Sequence, residues 1–293
     1  MEQPLVSVSV ITYNSSKTVI ETLESIKSQT YQCLELIVSD DCSTDNTVAI
    51  CQEWIEKNKN RFVRTAILTV EKNTGVSANL NRALRACQGK WVKIIAGDDI
   101  LFCDCVGIYM EYVRKNPDAV CVFSKVEVFG SSRENREKVM QWFDYSFFAM
   151  SPKEQYEYLQ CVRNCIPAAT SFYNKNELEK LELNFDERIP LLDDYPMWLN
   201  LLSKGVRLDF VDKVTVKYRI SETALSTTST QSIAFRKSNA IFYKLYRFQY
   251  EYEHTAKKFA IENWLRAQNT IKQNMFWYVI FKMYKICVMY KLH

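Results

Sequence analysis

Glycine and histidine are the scarce residues of this 293-residue chain. There are six glycines, about a third of the usual share of roughly one residue in fourteen. Gly75, Gly89, Gly97, Gly107, Gly130 and Gly205 form neither G-x-G-x-x-G nor G-x-x-x-x-G-K-[ST], which excludes a dinucleotide fingerprint and a Walker phosphate cradle. The two histidines, His254 and His293, lie near the C-terminus, far from a second His or a promising Ser or Cys. Zinc chemistry of the H-E-x-x-H kind and Ser-His-Asp catalysis therefore have no candidates. An anionic substrate must be handled by carboxylates with a metal, or by Arg and Lys.

Other absences bound the setting. The start, Met-Glu-Gln-Pro, lacks the basic region and long apolar stretch of a signal peptide. Ten cysteines include no C-x-x-C, and most sit among apolar residues, as expected of free thiols in a reducing cytosol. At 47% hydrophobic and 25% charged, the chain can bury a full core. The net charge of +4 is uneven: residues 233–293 carry eleven Lys or Arg against three Glu, a surplus of eight, leaving the preceding residues at minus four. A basic tail suits an anionic membrane surface or nucleic acid.

Strand and helix signals alternate from the start. Val6–Thr12 (VSVSVIT) and residues 34–39 (LELIVS) read as strands, each followed by a polar turn and a helix. Residues 66–70 predict a third strand, 76–87 a helix stopped by Gly89, and Trp91–Ala96 a fourth strand. Further on, the pattern predicts a helix over 101–115, a strand over 119–129 and a mobile loop over 130–138. Helices follow over 152–163 and 195–202, with an extended stretch over 168–173 between them and two strands over 207–211 and 213–219. From residue 233 only helix is expected, so the chain divides into a catalytic domain, 1–225, and a helical, basic, aromatic-rich appendage, 226–293. The fold class is α/β with a mainly parallel sheet and flanking helices.

Ligands of such sheets bind beyond the carboxyl ends of the strands. Tyr13-Asn14, Asp40-Asp41 and Gly97-Asp98-Asp99 fall there and should converge on one crevice. Asp98 and Asp99 can hold a hard cation or cap the next helix; a cap needs only one Asp, and two adjacent carboxylates repel unless neutralised. Asp40 and Asp41 can likewise cap a helix or accept N–H groups of a nucleoside. Asp193 and Asp194 precede a helix too, with capping or general-base work toward a hydroxyl as their alternatives.

Together, VSVSVITYNSSKTVIETLESIKSQTYQCLELIVSDDCSTDNT, EKNTGVSANLNRALRACQGKWVKIIAGDD, LLDDYPMWLNLLSKG and VTVKYRI resemble glycosyltransferase family 2, inverting enzymes of GT-A fold, across about three quarters of the chain. The resemblance implies a UDP-sugar donor and a divalent cation, Mg or Mn. It places Thr12, Tyr13 and Asn14 in the first nucleotide-contacting loop, and Asp41 on the uracil edge. Asn73, Gly75 and Asn81 then line the nucleoside and diphosphate. Asp98 falls on the ribose, Asp99 on the metal, Asp194 at the general base and Trp198 at its aromatic partner. Many relatives have a His after the Tyr-Arg of the last strand; here Tyr218-Arg219-Ile220 runs into Ser221, leaving Arg219 or water to complete the site. Cys42 stands where relatives mostly have Gly or a small polar residue. Inversion turns an α-linked donor into a β-glycoside, in a bacterial surface polysaccharide such as O-antigen or capsule. Competing classes are a nucleotidyltransferase, which lacks its Gly-rich phosphate loop here, and a non-catalytic glycan-binding protein, which has no need of all three of Asp41, Asp99 and Asp194.

Residues 275–292 (MFWYVIFKMYKICVMYKL) hold fifteen apolar or aromatic residues and three lysines. As a helix of about 27 Å they nearly span a bilayer. Lys282 and Lys285 near the middle, at roughly 2.5 to 3.5 kcal/mol each, disfavour spanning. The expectation is a helix lying in the headgroup layer, which suits a lipid-linked glycan acceptor and a peripheral position on the cytoplasmic face of the inner membrane. Packing on the catalytic domain or in a homodimer is the alternative, and nucleic acid ranks below both.

Overall fold

The computed structural model describes residues 3–220 and 233–247. The expected domain boundary near residue 225 and the tail at 275–292 lie outside the described residues.

An eight-stranded mixed sheet forms the centre, in the order β3-β2-β1-β4-β7-β6-β8-β5. Its strands are β1 (Val6–Thr12), β2 (Leu34–Asp40), β3 (Arg64–Leu68), β4 (Trp91–Ala96), β5 (Ile100–Leu101), β6 (Cys121–Phe129), β7 (Phe172–Asn174) and β8 (Leu208–Arg219). The first four are mutually parallel. Two antiparallel steps, β4 to β7 and β7 to β6, restore the direction, and β6 pairs with β8 in parallel. All strands but β5 and β7 therefore end on the same edge. That edge carries Thr12, Asp40, Ala96, Phe129 and Arg219.

Helices cover both faces, so the central strands are buried on both sides, with β1 turning Val6, Val8 and Val10 to one face and Ser7 and Ser9 to the other. Helices α1 (Val19–Lys27), α2 (Thr47–Asn58) and α4 (Cys105–Lys115) bury Leu23, Trp54 and Tyr109 against one face. Helices α3 (Val76–Ala86), α6 (Pro152–Cys161) and α8 (Asp194–Ser203) bury Leu80, Leu159 and Trp198 against the other. At the N-terminal end of the strands, buried Glu35 accepts hydrogen bonds from Ser7 Oγ, Gln88 N, Gly89 N and Arg64 Nη1. Burial pushes its pKa up, but these donors together hold it below the ordinary carboxylate range. A Cβ on Gly89 would lie 2.7 Å from both Ser7 N and Ser7 Oγ, so only glycine closes this knot.

Several expected boundaries are corrected. Residues 100–101 do not open a helix: β5 pairs with Val216 and Lys217, and α4 starts at Cys105. The stretch expected as a mobile loop over 130–138 contains α5 (Arg133–Met140), capped by Ser132 Oγ accepting from Asn135 N at 3.2 Å. The two strands expected over 207–219 are one, β8, with an irregularity where Ser124 faces Val211 and Lys125 faces Val214. The extended stretch over 168–173 starts as a 3-10 turn, Ala168–Thr170, before β7. α7 (Lys175–Lys180) was not anticipated. From residue 233, α9 (Ile233–Phe242) and a π turn, Tyr243–Arg247, pack on the body, with Phe242 tilted on Tyr195 at 4.5 Å. Among the described residues no helix is long and apolar enough to cross a membrane.

Candidate functional site

Three loops meet beyond the ends of β2, β1 and β4. Thr12 Oγ1 donates to Asp40 Oδ2 at 2.8 Å, joining the first two. Asn14 adopts φ 52°, a left-handed conformation that Asn tolerates; its N–H donates to Ser43 Oγ at 2.7 Å, and its Oδ1 accepts from Thr44 N at 2.8 Å. Tyr13 is left 53% exposed at the rim. Asp40 also accepts from Ser43 N and Oγ, so the turn before α2 consumes it, as its capping alternative expects.

Asp41 is buried and tied to the loop between β3 and α3. Its carboxylate accepts from Thr74 N, Thr74 Oγ1, Gly75 N at 2.8 Å and Arg82 Nη2 at 3.2 Å. Asn73 Nδ2 donates to Asp41 O at 3.1 Å. Gly75 has φ 90° and ψ 163°, a region almost reserved for glycine, and a Cβ there would lie 2.7 Å from Pro190 Cβ. Val76 N donates to Pro190 O and Ser77 Oγ to Ile189 O, each at 3.0 Å. The segment leading into α8, with Asp193 and Asp194, therefore rests directly on residues 75–77. Asn81 is committed elsewhere: it holds Phe185 through both its O and N atoms and donates to Glu187 Oε1.

The turn after β4 presents Asp98 outward and buries Asp99. Arg219, at the end of β8, clasps this turn. Its N–H donates to Asp99 Oδ1 at 2.8 Å, its Nε to Asp98 O at 2.7 Å and its Nη2 to Glu21 Oε2 at 2.8 Å, while the guanidinium lies 4.4 Å from the Phe129 ring centre. Burial raises the pKa of Asp99 well above the usual range and the charge of Asp98 raises it further, against the opposing pull of Lys93 and Arg219. Although it faces outward, Asp98 is raised too, by partial desolvation between its neighbours, with Arg219 opposing. Two carboxylates short of compensating charge suit a hard cation. Among the described residues no group of three His, Cys, Asp or Glu is placed to hold one. The pair nevertheless fits Mg or Mn, which commonly take one or two carboxylates and fill the remaining positions with substrate phosphates and water.

At α8, Asp193 makes no capping hydrogen bond. Asp194 Oδ1 accepts from Tyr195 N at 2.6 Å and Oδ2 from Asn164 Nδ2 at 3.1 Å. Burial, with the Asp194 charge next, pushes Asp193 up to about 7. Asp194 is also raised by burial, moderated by Tyr195 N–H and Asn164. Trp198 is a core side chain, edge-on to Phe123 at 5.4 Å.

Four supporting residues escaped the sequence reading. Arg82, Glu21 and Asn164 lie on polar stretches with no motif to single them out. Lys93 did carry a signal, a lysine inside the apolar run WVKIIA. It is wholly buried, its Nζ donates to Ile94 O, Ala169 O and Ser171 O, and burial pulls its pKa down to about 8.

The family model for glycosyl transferase family 2 matches residues 7–175, and the chain belongs to that family. An uncharacterized glycosyltransferase of Methanocaldococcus jannaschii is 29% identical over 222 residues, 75% of this chain and 72% of its own. The Escherichia coli UDP-Glc:alpha-D-GlcNAc-diphosphoundecaprenol beta-1,3-glucosyltransferase WfaP is 25% identical over 81% of this chain and 85% of its own. Among solved structures, S. aureus TarS 1-349 in complex with UDP-GlcNAc matches with a TM-score of 0.63 and 20% identity, over 80% of this chain and 64% of that one, a likeness of fold. The protein is a sugar-transferring enzyme related to those of polysaccharide biosynthesis.

Proposed function

We propose that the protein transfers a sugar from a UDP-sugar to a hydroxyl of a lipid-linked glycan, with inversion. The observation carrying this reading is the seating of Pro190 on Gly75, which brings the Asp194 segment onto the loops beyond the parallel strands. On this reading Thr12, Tyr13, Asn14, Asn73 and Gly75 shape the nucleotide side, and Asp98 meets the ribose. The uracil N–H takes a place on Asp41 by displacing Arg82, its longest contact at 3.2 Å.

Asp194 removes the acceptor hydroxyl's proton as that oxygen attacks the anomeric carbon from the face opposite the departing UDP, so one displacement inverts configuration. Asn164 and the Tyr195 N–H hold the carboxylate for this step. Mg or Mn bound at Asp99 supplies neutralisation of the leaving diphosphate's charge. Arg219, released from Glu21, adds a guanidinium to the same anion. The name of WfaP supports UDP-glucose as donor and an α-GlcNAc diphospholipid as acceptor. We place the protein peripherally on the cytoplasmic membrane face through residues 275–292, beyond a catalytic domain of residues 1–225.

A donor screen for UDP release in the presence of Mn and a diphospholipid acceptor tests the activity. Wild type is expected to turn over, and Asp99→Asn and Asp194→Asn to lose transfer; folded wild type that releases UDP or GDP from no donor overturns the reading. Deleting residues after Gln273 tests the tail, whose role fails if membrane partitioning is unchanged.

A further inference from the structure

Among the described residues only two aromatic side chains are strongly exposed, Tyr13 at 53% and Trp142 at 42%. The other described tryptophans, Trp54, Trp91 and Trp198, are buried. A single exposed apolar residue means little by itself. The position of Trp142 gives it meaning. It follows α5, whose sequence RENREKVM buries only Val139, so Trp142 does not continue an apolar helix face.

The backbone around Trp142 is fastened to both halves of the site. Toward the base, Arg163 Nη1 donates to Trp142 O and Asp144 N donates to Cys165 O at 3.2 Å. Asn164, between those two anchor residues, donates to Asp194 Oδ2. Toward the metal side, Phe143 packs edge-on to Tyr218 at 6.4 Å, next to Arg219. An exposed indole is thus held beside the strap that orients the base and beside the strand end that clasps Asp98 and Asp99.

We infer that Trp142 is the platform on which the acceptor's sugar ring stacks. A pyranose has one face of C–H groups that an aromatic ring covers well, while its hydroxyls stay available to polar neighbours such as Asp194. This rests on the reading of Asp194 as the base and adds the acceptor subsite to it. A ring seated on Trp142 turns one hydroxyl toward Asp194, so this residue also helps set the linkage position.

The test uses the full-length protein, UDP-glucose and an alkyl α-N-acetylglucosaminyl diphosphate. Trp142→Ala is expected to raise the acceptor KM roughly tenfold and to leave the calorimetric affinity for UDP unchanged, with Trp142→Phe recovering most of the loss. An unchanged acceptor KM, or a parallel loss of UDP affinity, overturns the platform. Tryptophan fluorescence titrated with the same sugar diphosphate reads the site without turnover. Quenching in wild type that disappears in Trp142→Phe is expected; quenching that persists, or none in wild type, refutes the proposal. Failure of UDP release in the donor screen refutes the enzyme reading separately, since the titration does not depend on it.

Discussion

Replacing Gly75 by Ala tests the coupling between the nucleotide loops and the base. At φ 90° and ψ 163° the alanine sits in a region that costs about 1 to 3 kcal/mol. Its methyl also meets Pro190 Cβ at 2.7 Å and Pro190 O at 3.2 Å, so the 189–194 segment must lift, at about 1 to 3 kcal/mol more. A total of about 2 to 6 kcal/mol lowers the Tm by roughly 4 to 24 °C for a domain of this size. Gly89→Ala is the control, because its Cβ would strike Ser7 N at 2.7 Å and Leu5 O at 2.9 Å at the opposite end of the strands. Both variants should lose comparable stability in calorimetry. Only Gly75→Ala should lose kcat per folded molecule, by about tenfold or more, since a misplacement near 1 Å can cost about a hundredfold. Equal kcat in the two variants, or a Gly75→Ala protein as stable as wild type, would refute the coupling.

Other outcomes follow from the same geometry. Asp194→Asn should cut kcat by about 10²- to 10⁴-fold while retaining UDP binding, measured by calorimetry. The base works deprotonated and burial raises Asp194, so the acid limb of kcat should lie above the ordinary carboxylate range in a pH–rate profile; Asn164→Ala removes a hydrogen bond that lowers Asp194 and should move that limb to higher pH. Lys93 is lowered from 10.5 to about 8, so between those values the unfolded chain binds the proton that the folded one has released. Wild type should therefore gain about 3 kcal/mol relative to Lys93→Met across that window in urea titrations, and equal slopes would show that burial does not lower the Lys93 pKa. Glu21→Gln, which frees the Arg219 guanidinium, should tighten UDP binding, and weaker binding would show that the Glu21 pair orients Arg219 for the diphosphate.

The parallel half of the fold was legible because β1 and β4 are short runs of strand length rich in Val and Ile and free of Gly, Pro and Asn, and their ends matched the residues expected. Residues 100–101 were misassigned because two residues carry no period and pair only through distant β8. α5 escaped because it is polar all round and defined by its Ser132 cap. The aspartate pairs were visible, but their division of labour was not. Asp40 is spent on its own turn, whereas Asp41 ties down residues 74 and 75, a partnership across more than thirty positions of sequence. Asn164 was out of reach for the same reason, its partner Asp194 lying thirty residues on.

The antiparallel seam between β4 and β7 has a consequence for inheritance. On one side of it, β1 to β4 and their loops carry the groups assigned to the donor; on the other lie Trp142, Asn164 and Asp194. Across the seam only Trp91, Val92 and Lys93 pair with Phe172, Tyr173 and Asn174. On the roles proposed for Trp142 and Asp194, recombination that exchanges the chain between β6 and β7 brings a new acceptor preference to an unchanged donor half, provided it keeps the contact of Asn164 with Asp194.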